Sequence, residues 1–558
     1  MWKRPAICLP KLAGGFRALF PNIRRTSHPA LLPQERSISH SIDHDDLFRY
    51  SSGRWLVDEK QQLEQRFVKF NVERLCREAV SLFRDATKCV RVVKVEGNFN
   101  KAFLLTMDDG SEVIAKLPCR NTGTRSLVTA SEVATLQFLK SRTSIHVPEV
   151  FAWSADPENP IGSEYILMEK IQGVALAGKW GTMNLLERYK VIDQIVEMEK
   201  ELGSLEFPAF GSLYLRDSLP PECRHYPLPM DLDPNGLYCL GPSCNQQRWD
   251  NDRAKMSGPW PSFLEFALSF PQRELDSIGD PKSELHRVDR FGERPSLKEY
   301  KLLLQKAIDI LPILSRDPRV VEVAGPTLWH TDLHLGNIFV SPDDPTTILG
   351  IIDWQSSQVG PLFIQARFPE FLKPPKHYYP GTKLPTLPDN FDDLDSERKE
   401  QATKENILAS QSKYYEMSSL ANNKRVYDAL KLDRRIWEPF TCCRRFSNGS
   451  MVPLRNSMIR ISQDWTLLGL PGNCPFSFTE EELRRHNEQA VQYQDMLYLW
   501  DIVKTQLSTD DSGWVPVERW KKTNEINRSL FDMYVETMSE KLSLDAALKK
   551  WPFPPNDL

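Results

Sequence analysis

The sequence lacks three features that would each indicate a class of protein. Its ten cysteines form no C-x-x-C pair, which is the commonest sign of a zinc or redox site. No uninterrupted apolar run reaches the roughly 20 residues that a membrane-spanning helix needs. The net charge of -4 is not the basic excess expected of a chain that coats nucleic acid. The sequence therefore predicts reduced thiols, no transmembrane segment and no nucleic-acid partner.

One group of cysteines lies near a histidine, a combination that can form a zinc site. Cys223, Cys239 and Cys244 have His225 close by in the sequence. Their spacings fit no common zinc template, however. Ordinary thiols are the favoured interpretation.

The first 34 residues contain no Asp or Glu at all. Six basic residues occur among them: Lys3, Arg4, Lys11, Arg17, Arg24 and Arg25. On a helix, the apolar residues between 9 and 20 fall on one side, with Lys11 opposite them. This bias is typical of an organelle transit peptide. We therefore predict that residues 1–40 are a mitochondrial transit peptide cut between 36 and 40, the alternative being a disordered basic tail.

The next two segments differ in their hydrophobic pattern. Residues 41–88 place apolar side chains at helical spacings among charges, which predicts a helical amino-terminal extension. The following residues alternate as strands do, in three runs: 90–95, 101–107 and 112–117. Asp109-Gly110 between the last two runs predicts a hairpin turn. With a helix at 129–139 and a strand within 161–173, residues 89–170 are predicted to form a small, mostly antiparallel lobe.

The remainder is mainly helical. We predict a helical lobe over 171–545, with a tail at 546–558. Two stretches rich in Pro and without a clear period are predicted to be irregular insertions, about 205–262 and 371–397. Long helices are predicted from about 395 and from about 480.

A short hairpin is predicted to carry the chemistry. The apolar runs NIFV at 337–340 and TILGII at 347–352 flank the turn cluster SPDDPT, so they should pair as antiparallel strands. Asn337 enters the first strand and Asp353 leaves the second, so both side chains lie at the same end. An amide oxygen and a carboxylate there suit a hard cation such as Mg²⁺. Asp332, five residues before Asn337, can face the same space.

Two motifs in this region resemble those of known kinases. HTDLHLGN at 330–337 resembles the H-x-D-x-x-x-x-N loop of kinases and, through His334 and Gly336, the H-G-D-x-H-x-G-N form of aminoglycoside and choline phosphotransferases. IIDW at 351–354 resembles the I-D-W of those small-molecule kinases. The resemblance implies that Asp332 is the catalytic residue, that His334 orients Asp332 or substrate, and that Asn337 and Asp353 bind Mg²⁺. His330 would brace the loop.

The small lobe carries the matching nucleotide motifs. VIAK at 113–116 resembles the strand-borne V-A-I-K of kinases, which makes Lys116 the ligand of the ATP phosphates and Glu132 its ion-pair partner. EGNFNKAF occupies the place of the nucleotide-covering loop, although it keeps a single glycine. The implied nucleotide-binding residues there and at the hinge between the lobes are Gly97, Asn98, Phe99, Asn100, Met168, Glu169 and Ile171.

Longer stretches resemble one fungal family. YSSGRWLVDEKQQLEQRFVKFNVERL, EGNFNKAFLLTMDDG and TASEVATL are similar to the fungal altered inheritance of mitochondria protein 9-type family, whose body is an aminoglycoside-phosphotransferase domain. The resemblance implies an α+β, bilobal protein-kinase-like fold with an amino-terminal helical extension and helical insertions. It agrees with a mitochondrial location and says little about a substrate.

Two functions follow from these residues. The first is an ATP- and Mg²⁺-dependent phosphotransferase acting on a hydroxyl group of a small molecule. The second is a nucleotide-binding pseudokinase or scaffold for mitochondrial maintenance, favoured by the glycine-poor loop and the long helical additions. Protein phosphorylation is disfavoured because no A-P-E segment follows Asp353. No motif identifies the acceptor or the oligomeric state.

Overall fold

The structure is a computed structural model that describes residues 45–123, 126–244, 257–278, 296–443, 450–539 and 542–555. The predicted transit peptide at 1–40 lies outside the described residues. The strands are β1 Gly53–Trp55, β2 Cys89–Glu96, β3 Asn100–Met107, β4 Glu112–Pro118, β5 Val150–Ser154, β6 Tyr165–Glu169, β7 Val174–Ala175, β8 Ser212–Leu215, β9 Tyr226–Pro227, β10 Tyr238–Gly241, β11 Pro326–Trp329, β12 Ile338–Val340, β13 Ile348–Ile351, β14 Gln358–Pro361 and β15 Trp514–Pro516.

The helices are α1 Asp45–Phe48, α2 Glu59–Gln65, α3 Val72–Ser81, α4 Leu127–Arg142, α5 Leu185–Ser204, α6 Phe263–Ser277, α7 Leu297–Leu314, α8 Pro318–Val321, α9 Leu362–Gln365, α10 Ser396–Asn422, α11 Lys424–Lys431, α12 Arg434–Cys442, α13 Val452–Gln463, α14 Glu480–Leu507, α15 Val517–Met538 and α16 Leu544–Lys550. None of the helices in the described ranges is both long and apolar enough to span a bilayer.

The small lobe is a five-stranded antiparallel sheet in the order β2-β3-β4-β6-β5. Its strands follow from the alternating apolar pattern, since Phe103 and Leu105 of β3 are fully buried while their neighbours are partly exposed. Gly110, at φ 88°, makes the turn that joins β3 to β4. The three runs predicted at 90–95, 101–107 and 112–117 agree with β2, β3 and β4 to within one residue at each end, β6 lies within the predicted 161–173, and β5 was not predicted.

The larger lobe is built from helices around an apolar core formed by α6 to α9 and α11 to α13. Helix α5 begins at a capping box, in which the Asn184 side chain accepts from the Glu187 backbone and Glu187 accepts in return. Thr479 and Glu482 start α14 in the same way. The bilobal α+β fold predicted from the sequence is confirmed.

The insertion at 205–262 differs from its prediction as an irregular segment. It contains the three-stranded sheet β8-β10-β9, and Tyr214 and Cys239 of that sheet pack against Leu127 and Val128 of α4. Strands of two to four residues separated by Pro and Gly are too short to produce a period in the sequence. Residues 245–256 of this insertion lie outside the described part.

The predicted tail at 546–558 also differs from the structure. Helix α16 packs there, and Trp551 and Phe553 are buried with Leu56 in one apolar cluster. Strand β1 of the extension pairs antiparallel with β15 on the same side. A seven-residue helix followed by isolated aromatic residues leaves no readable period, and pairing between segments about 460 residues apart leaves no local signal.

A buried charged cluster fastens the extension to the small lobe. The Glu96 carboxylate accepts hydrogen bonds from the backbone and hydroxyl groups of Ser51 and Ser52 at 2.6–3.2 Å. It also pairs with the ammonium groups of Lys94 at 2.9 Å and Lys101 at 3.4 Å. Burial opposes ionisation of Glu96, but the two lysines outweigh it and lower its pKa.

Glu96→Gln should lower the free energy of unfolding by about 3–5 kcal/mol, because it leaves two buried ammonium groups without their carboxylate. Denaturant unfolding monitored by tryptophan fluorescence measures the change. Glu64→Gln is the matched control, since its pair with Lys60 is largely exposed and spans 4.0 Å. Equal effects of the two substitutions would contradict the structural importance of the cluster.

A second buried carboxyl group joins two helices of the large lobe. The Tyr415 hydroxyl of α10 donates to Glu199 of α5 at 2.7 Å, and both side chains are buried. Burial raises the pKa of Glu199 to about 8, although the bond from Tyr415 works in the opposite direction. Glu199 is therefore mostly protonated near neutral pH.

The stability of the wild type should fall as the pH rises between about 4.5 and 8 because of Glu199. In that window the folded state keeps the proton that the unfolded state has released, so the slope approaches about 1.4 kcal/mol per pH unit. Unfolding free energies measured across this range should lose that slope in Glu199→Gln. Glu197→Gln, an exposed residue of the same helix, should keep it.

Candidate active site

The loop between β11 and β12 is held by a neutral histidine. His330 Nδ1 accepts the backbone N–H of Asp332 at 3.3 Å, so its Nε2 donates to the Ile352 carbonyl at 3.0 Å. Burial lowers the pKa of His330 and keeps the ring uncharged. His330 thus ties the loop to the residue that precedes Asp353, which is the bracing role that the sequence analysis expects.

The predicted catalytic residue lies at the open side of this loop. The Asp332 side chain is 71% exposed, and the nearest imidazole nitrogen, His334 Nε2, lies 3.9 Å from its Oδ2. His334 Nδ1 accepts the N–H of Gly336 at 3.0 Å, which assigns the proton of the neutral ring to Nε2. The imidazole therefore faces Asp332 with a donor and can orient its carboxylate.

Asn337 is positioned by the same loop. Its side-chain Nδ2 donates to the Asp332 carbonyl at 3.0 Å, and the side chain is buried. This contact uses the amide nitrogen and leaves the amide oxygen as the atom able to hold a cation. The antiparallel pairing of β12 with β13 is confirmed, and it sets Asn337 opposite the strand that leads to Asp353.

Asp353 adopts an unusual backbone conformation. Its φ is 61°, in the left-handed region that residues other than glycine rarely enter, and Ser356 follows at 58°. Such strain is retained mostly at functional sites, where the surrounding structure imposes it. The conformation brings the Asp353 carboxylate to Lys116 Nζ at 2.6 Å.

Lys116 connects both lobes. Its ammonium lies 2.6 Å from Glu132 of α4 as well as 2.6 Å from Asp353. Burial disfavours the charge of Lys116, but Asp353 and Glu132 outweigh it and raise the lysine's pKa. Burial raises the pKa of Glu132, which Lys116 offsets in part. For Asp353 the cation outweighs burial and lowers the pKa.

The predicted nucleotide-covering segment contacts the loop that follows Asp353. Cys119 N and the Thr122 hydroxyl donate to the Phe99 carbonyl at 2.8 and 2.5 Å, which fixes the loop without a glycine set. Asn100, the first residue of β3, bonds through its side-chain amide to Gln355. Gln355 was not among the predicted site residues, although its position directly after IIDW was the available signal.

The predicted hinge joins the lobes. Met168 and Glu169 end β6, and the Glu169 backbone N–H donates to the Glu149 carbonyl at 2.8 Å. Ile171 is buried and packs against Gly350 of β13, so it already belongs to the large lobe. Contact of this segment with adenine stays a prediction, as does that of Gly97 and Asn98.

The cysteine group at 223–244 is not arranged as a metal site. Cys244 lies 2.8 Å from the Tyr214 hydroxyl, and both are buried. Within the described ranges no group of three or more His, Cys, Asp or Glu residues is placed to hold a metal ion. The thiols therefore act as packing groups of the insertion.

Comparison with known proteins identifies the domain that carries this site. Residues 95–364 match the phosphotransferase enzyme family. This stretch is therefore similar to the phosphotransferases of that family. It contains Lys116, Glu132, the whole catalytic loop and Asp353, so the residues brought together above all lie within it.

Curated relatives extend the similarity beyond that domain. A subtelomeric hrmA-associated cluster protein of Aspergillus fumigatus is 28% identical over 83% of this chain and 97% of its own length. Altered inheritance of mitochondria protein 9, mitochondrial, of Clavispora lusitaniae is 23% identical over 99% of this chain and 96% of its own length. The predicted relationship to that fungal family and the mitochondrial location are confirmed.

Solved structures of phosphotransferases resemble the chain at low identity. An aminoglycoside phosphotransferase in ternary complex with ADP and hygromycin B is 14% identical, covering 72% of this chain and 99% of its own, with a TM-score of 0.35. A second, in complex with streptomycin and ATP, is 13% identical, covering 70% of this chain and 97% of its own, with a TM-score of 0.31.

Lys116→Met should lower the free energy of unfolding by about 3–5 kcal/mol, because the buried Glu132 loses the ammonium group that pairs with it. Adding Glu132→Leu should restore much of that loss, since the unpaired charge is then removed. Denaturant unfolding of the single and double variants measures the coupling. Lys140→Met, in an exposed pair, is the control. Purely additive losses would contradict the pairing.

Proposed function

We propose that this protein is an ATP- and Mg²⁺-dependent phosphotransferase that phosphorylates a hydroxyl group of a small molecule in mitochondria. The observation that carries the proposal is the contact of Lys116 with both Glu132 and Asp353, directly beside the loop that presents Asp332. A buried cation for phosphate, oxygen ligands for a metal and an accessible carboxylate are the parts that phosphoryl transfer requires.

Each residue has a stated role in the proposal. Lys116 binds the nucleotide phosphates, while Asn337 and Asp353 hold Mg²⁺, which would neutralise charge on those phosphates. The acceptor oxygen forms a bond to the terminal phosphorus as the bond to the bridging oxygen breaks, and ADP leaves with that electron pair. Asp332 takes the hydroxyl proton, and His334 keeps the Asp332 carboxylate oriented.

The boundaries predicted from the sequence also become part of the proposal. Residues 1–40 are proposed to be a transit peptide, 41–88 an extension, 89–170 the nucleotide-binding lobe and 171–545 the lobe that selects the acceptor. The extension would act on the nucleotide-binding lobe through Glu96, which directly precedes Gly97 of the covering loop.

A second candidate function has one specific observation in its favour. Asn100 already bonds to Gln355, and the covering loop has the single glycine Gly97. A loop fixed in this way suits a scaffold protein that binds ATP but does not transfer its phosphate. Phosphate transfer separates the two candidates, because a scaffold would bind ATP without producing a phosphorylated molecule.

Asp332→Asn should reduce phosphate transfer by roughly 10²- to 10⁴-fold, because the amide cannot accept the hydroxyl proton. The assay incubates the mature protein with ATP, Mg²⁺ and a mitochondrial metabolite extract, and mass spectrometry detects the new phosphorylated species. ATP binding should persist, since Lys116, Glu132 and Asp353 are untouched.

Asp343→Asn is the control for this assay, because it lies exposed in the turn of the same hairpin. It should transfer phosphate at the wild-type rate. Unchanged turnover in Asp332→Asn would reject the assigned role. Tight ATP binding by the wild type with no transfer to any metabolite would support the scaffold instead.

A further inference from the structure

A cavity of about 130 Å³ opens beside the catalytic loop, on the side of the helical lobe. His330 and Asp332 form one wall, Glu199 a second, and Arg367 and Glu370 a third. Its volume is below the roughly 300–1,000 Å³ usual for pockets that enclose a drug-sized ligand. The cavity therefore holds either a small molecule or the reacting end of a larger one.

Arg367 is held rigidly at this wall. Its Nη1 donates to the carbonyls of Phe363 at 2.7 Å and Ala366 at 2.8 Å. The guanidinium carbon lies 4.5 Å from the centre of the Trp437 ring, over which it stacks. Burial lowers the pKa of Arg367 to about 10, so the group stays positively charged at neutral pH. The cation is therefore fixed in place.

One edge of this guanidinium has no protein partner. Across the described ranges, the hydrogen bonds of the Arg367 guanidinium are those of Nη1, and it forms no ion pair with a carboxylate. Arg367 is half-buried, so its cation is only partly hydrated and an anion bound there replaces missing water contacts. The Nε and Nη2 edge presents two parallel donors, which match two oxygens of one carboxylate or phosphate.

The other charged groups of the cavity do not cancel this cation. Glu199 is mostly protonated near neutral pH, because its burial outweighs the opposing hydrogen bond from Tyr415. His330 is uncharged. Glu370 is exposed, so water and salt screen its charge. Arg367 is thus the half-buried cation that a molecule reaching Asp332 from this side meets.

We propose that this cavity binds the acceptor and that the acceptor carries an anionic group, a carboxylate or a phosphate, which Arg367 binds while a hydroxyl group lies at Asp332. The identification of the bound molecule as the acceptor rests on the proposed phosphotransferase function. Arg367 is a specificity-determining residue in this proposal, because a cationic molecule would face an uncompensated guanidinium.

Four three-carbon probes of similar size test the charge preference. Calorimetric titration of the full chain compares glycerate, glycerol 3-phosphate, neutral glycerol and cationic 3-amino-1,2-propanediol. At least one of the two anions should bind about tenfold or more tightly than glycerol, and the amine should bind most weakly. Binding of neither anion, or equal binding of glycerol, would overturn the proposal. The two anions distinguish a carboxylate from a phosphate group.

Variants assign the preference to one side chain. Arg367→Met should weaken anion binding about 10- to 100-fold. Arg367→Lys should lose part of the affinity, because a lysine keeps the charge but lacks the two parallel N–H donors. Circular dichroism confirms that each variant is folded. Glu370→Gln, on the same wall, should bind the anions no more weakly than the wild type. Undiminished anion binding by folded Arg367→Met would refute the role.

Transfer measurements separate this inference from the proposed function. The metabolite extract is divided by anion exchange, and each fraction is incubated with ATP, Mg²⁺ and the wild type. Phosphorylation within the anionic fraction supports both the phosphotransferase function and the anionic acceptor. Phosphorylation within the neutral or cationic fraction alone keeps the phosphotransferase and refutes the anionic acceptor. Anion binding through Arg367 without transfer from any fraction keeps the anion site and refutes the phosphotransferase.

Discussion

The position of Lys116 between two carboxylates is the interaction on which the rest of the site depends. The lysine lies on β4, Glu132 on α4 and Asp353 after β13, so one ammonium group joins the sheet, the helix and the loop of the opposite lobe. Glu132 is buried, whereas the Asp353 side chain keeps 35% exposure. The pair with Glu132 is therefore shielded from salt, while Asp353 remains accessible to a hard cation.

The residues around Lys116 were predictable because local spacing determines their positions. Asp332 and Asn337 are five residues apart on one loop, and the hairpin between 337 and 353 needs a turn cluster and two apolar runs. Lys116 and Glu132 were assigned by the resemblance of VIAK and of the helix after it to kinase motifs. Each of these relations spans few residues, so a pattern read along the chain locates the side chains before the fold is known.

Features created by distant parts of the chain were not predictable in that way. The pairing of β1 with β15 and the burial of Trp551 against Leu56 join segments more than 450 residues apart. The sheet in the 205–262 insertion consists of strands of at most four residues. These strands are too short to show an alternating hydrophobic pattern, and their packing on α4 stabilises them. Arg367 belongs to no motif, and only the fold brings it to the cavity beside Asp332.

The charges around Asp332 indicate how one site can serve two anions. In the proposed reaction the cation at Lys116 binds phosphate, whereas the hydroxyl proton goes to the Asp332 carboxylate, which is 71% exposed. A second ionised carboxylate in the buried wall would repel both a phosphate and an anionic acceptor. Burial of Glu199 against Tyr415 keeps that carboxyl protonated, so Arg367 contributes a net positive charge to its side of the cavity. Burial disfavours the ionised form of Glu199, so no negative charge of that residue offsets the positive charge of Arg367.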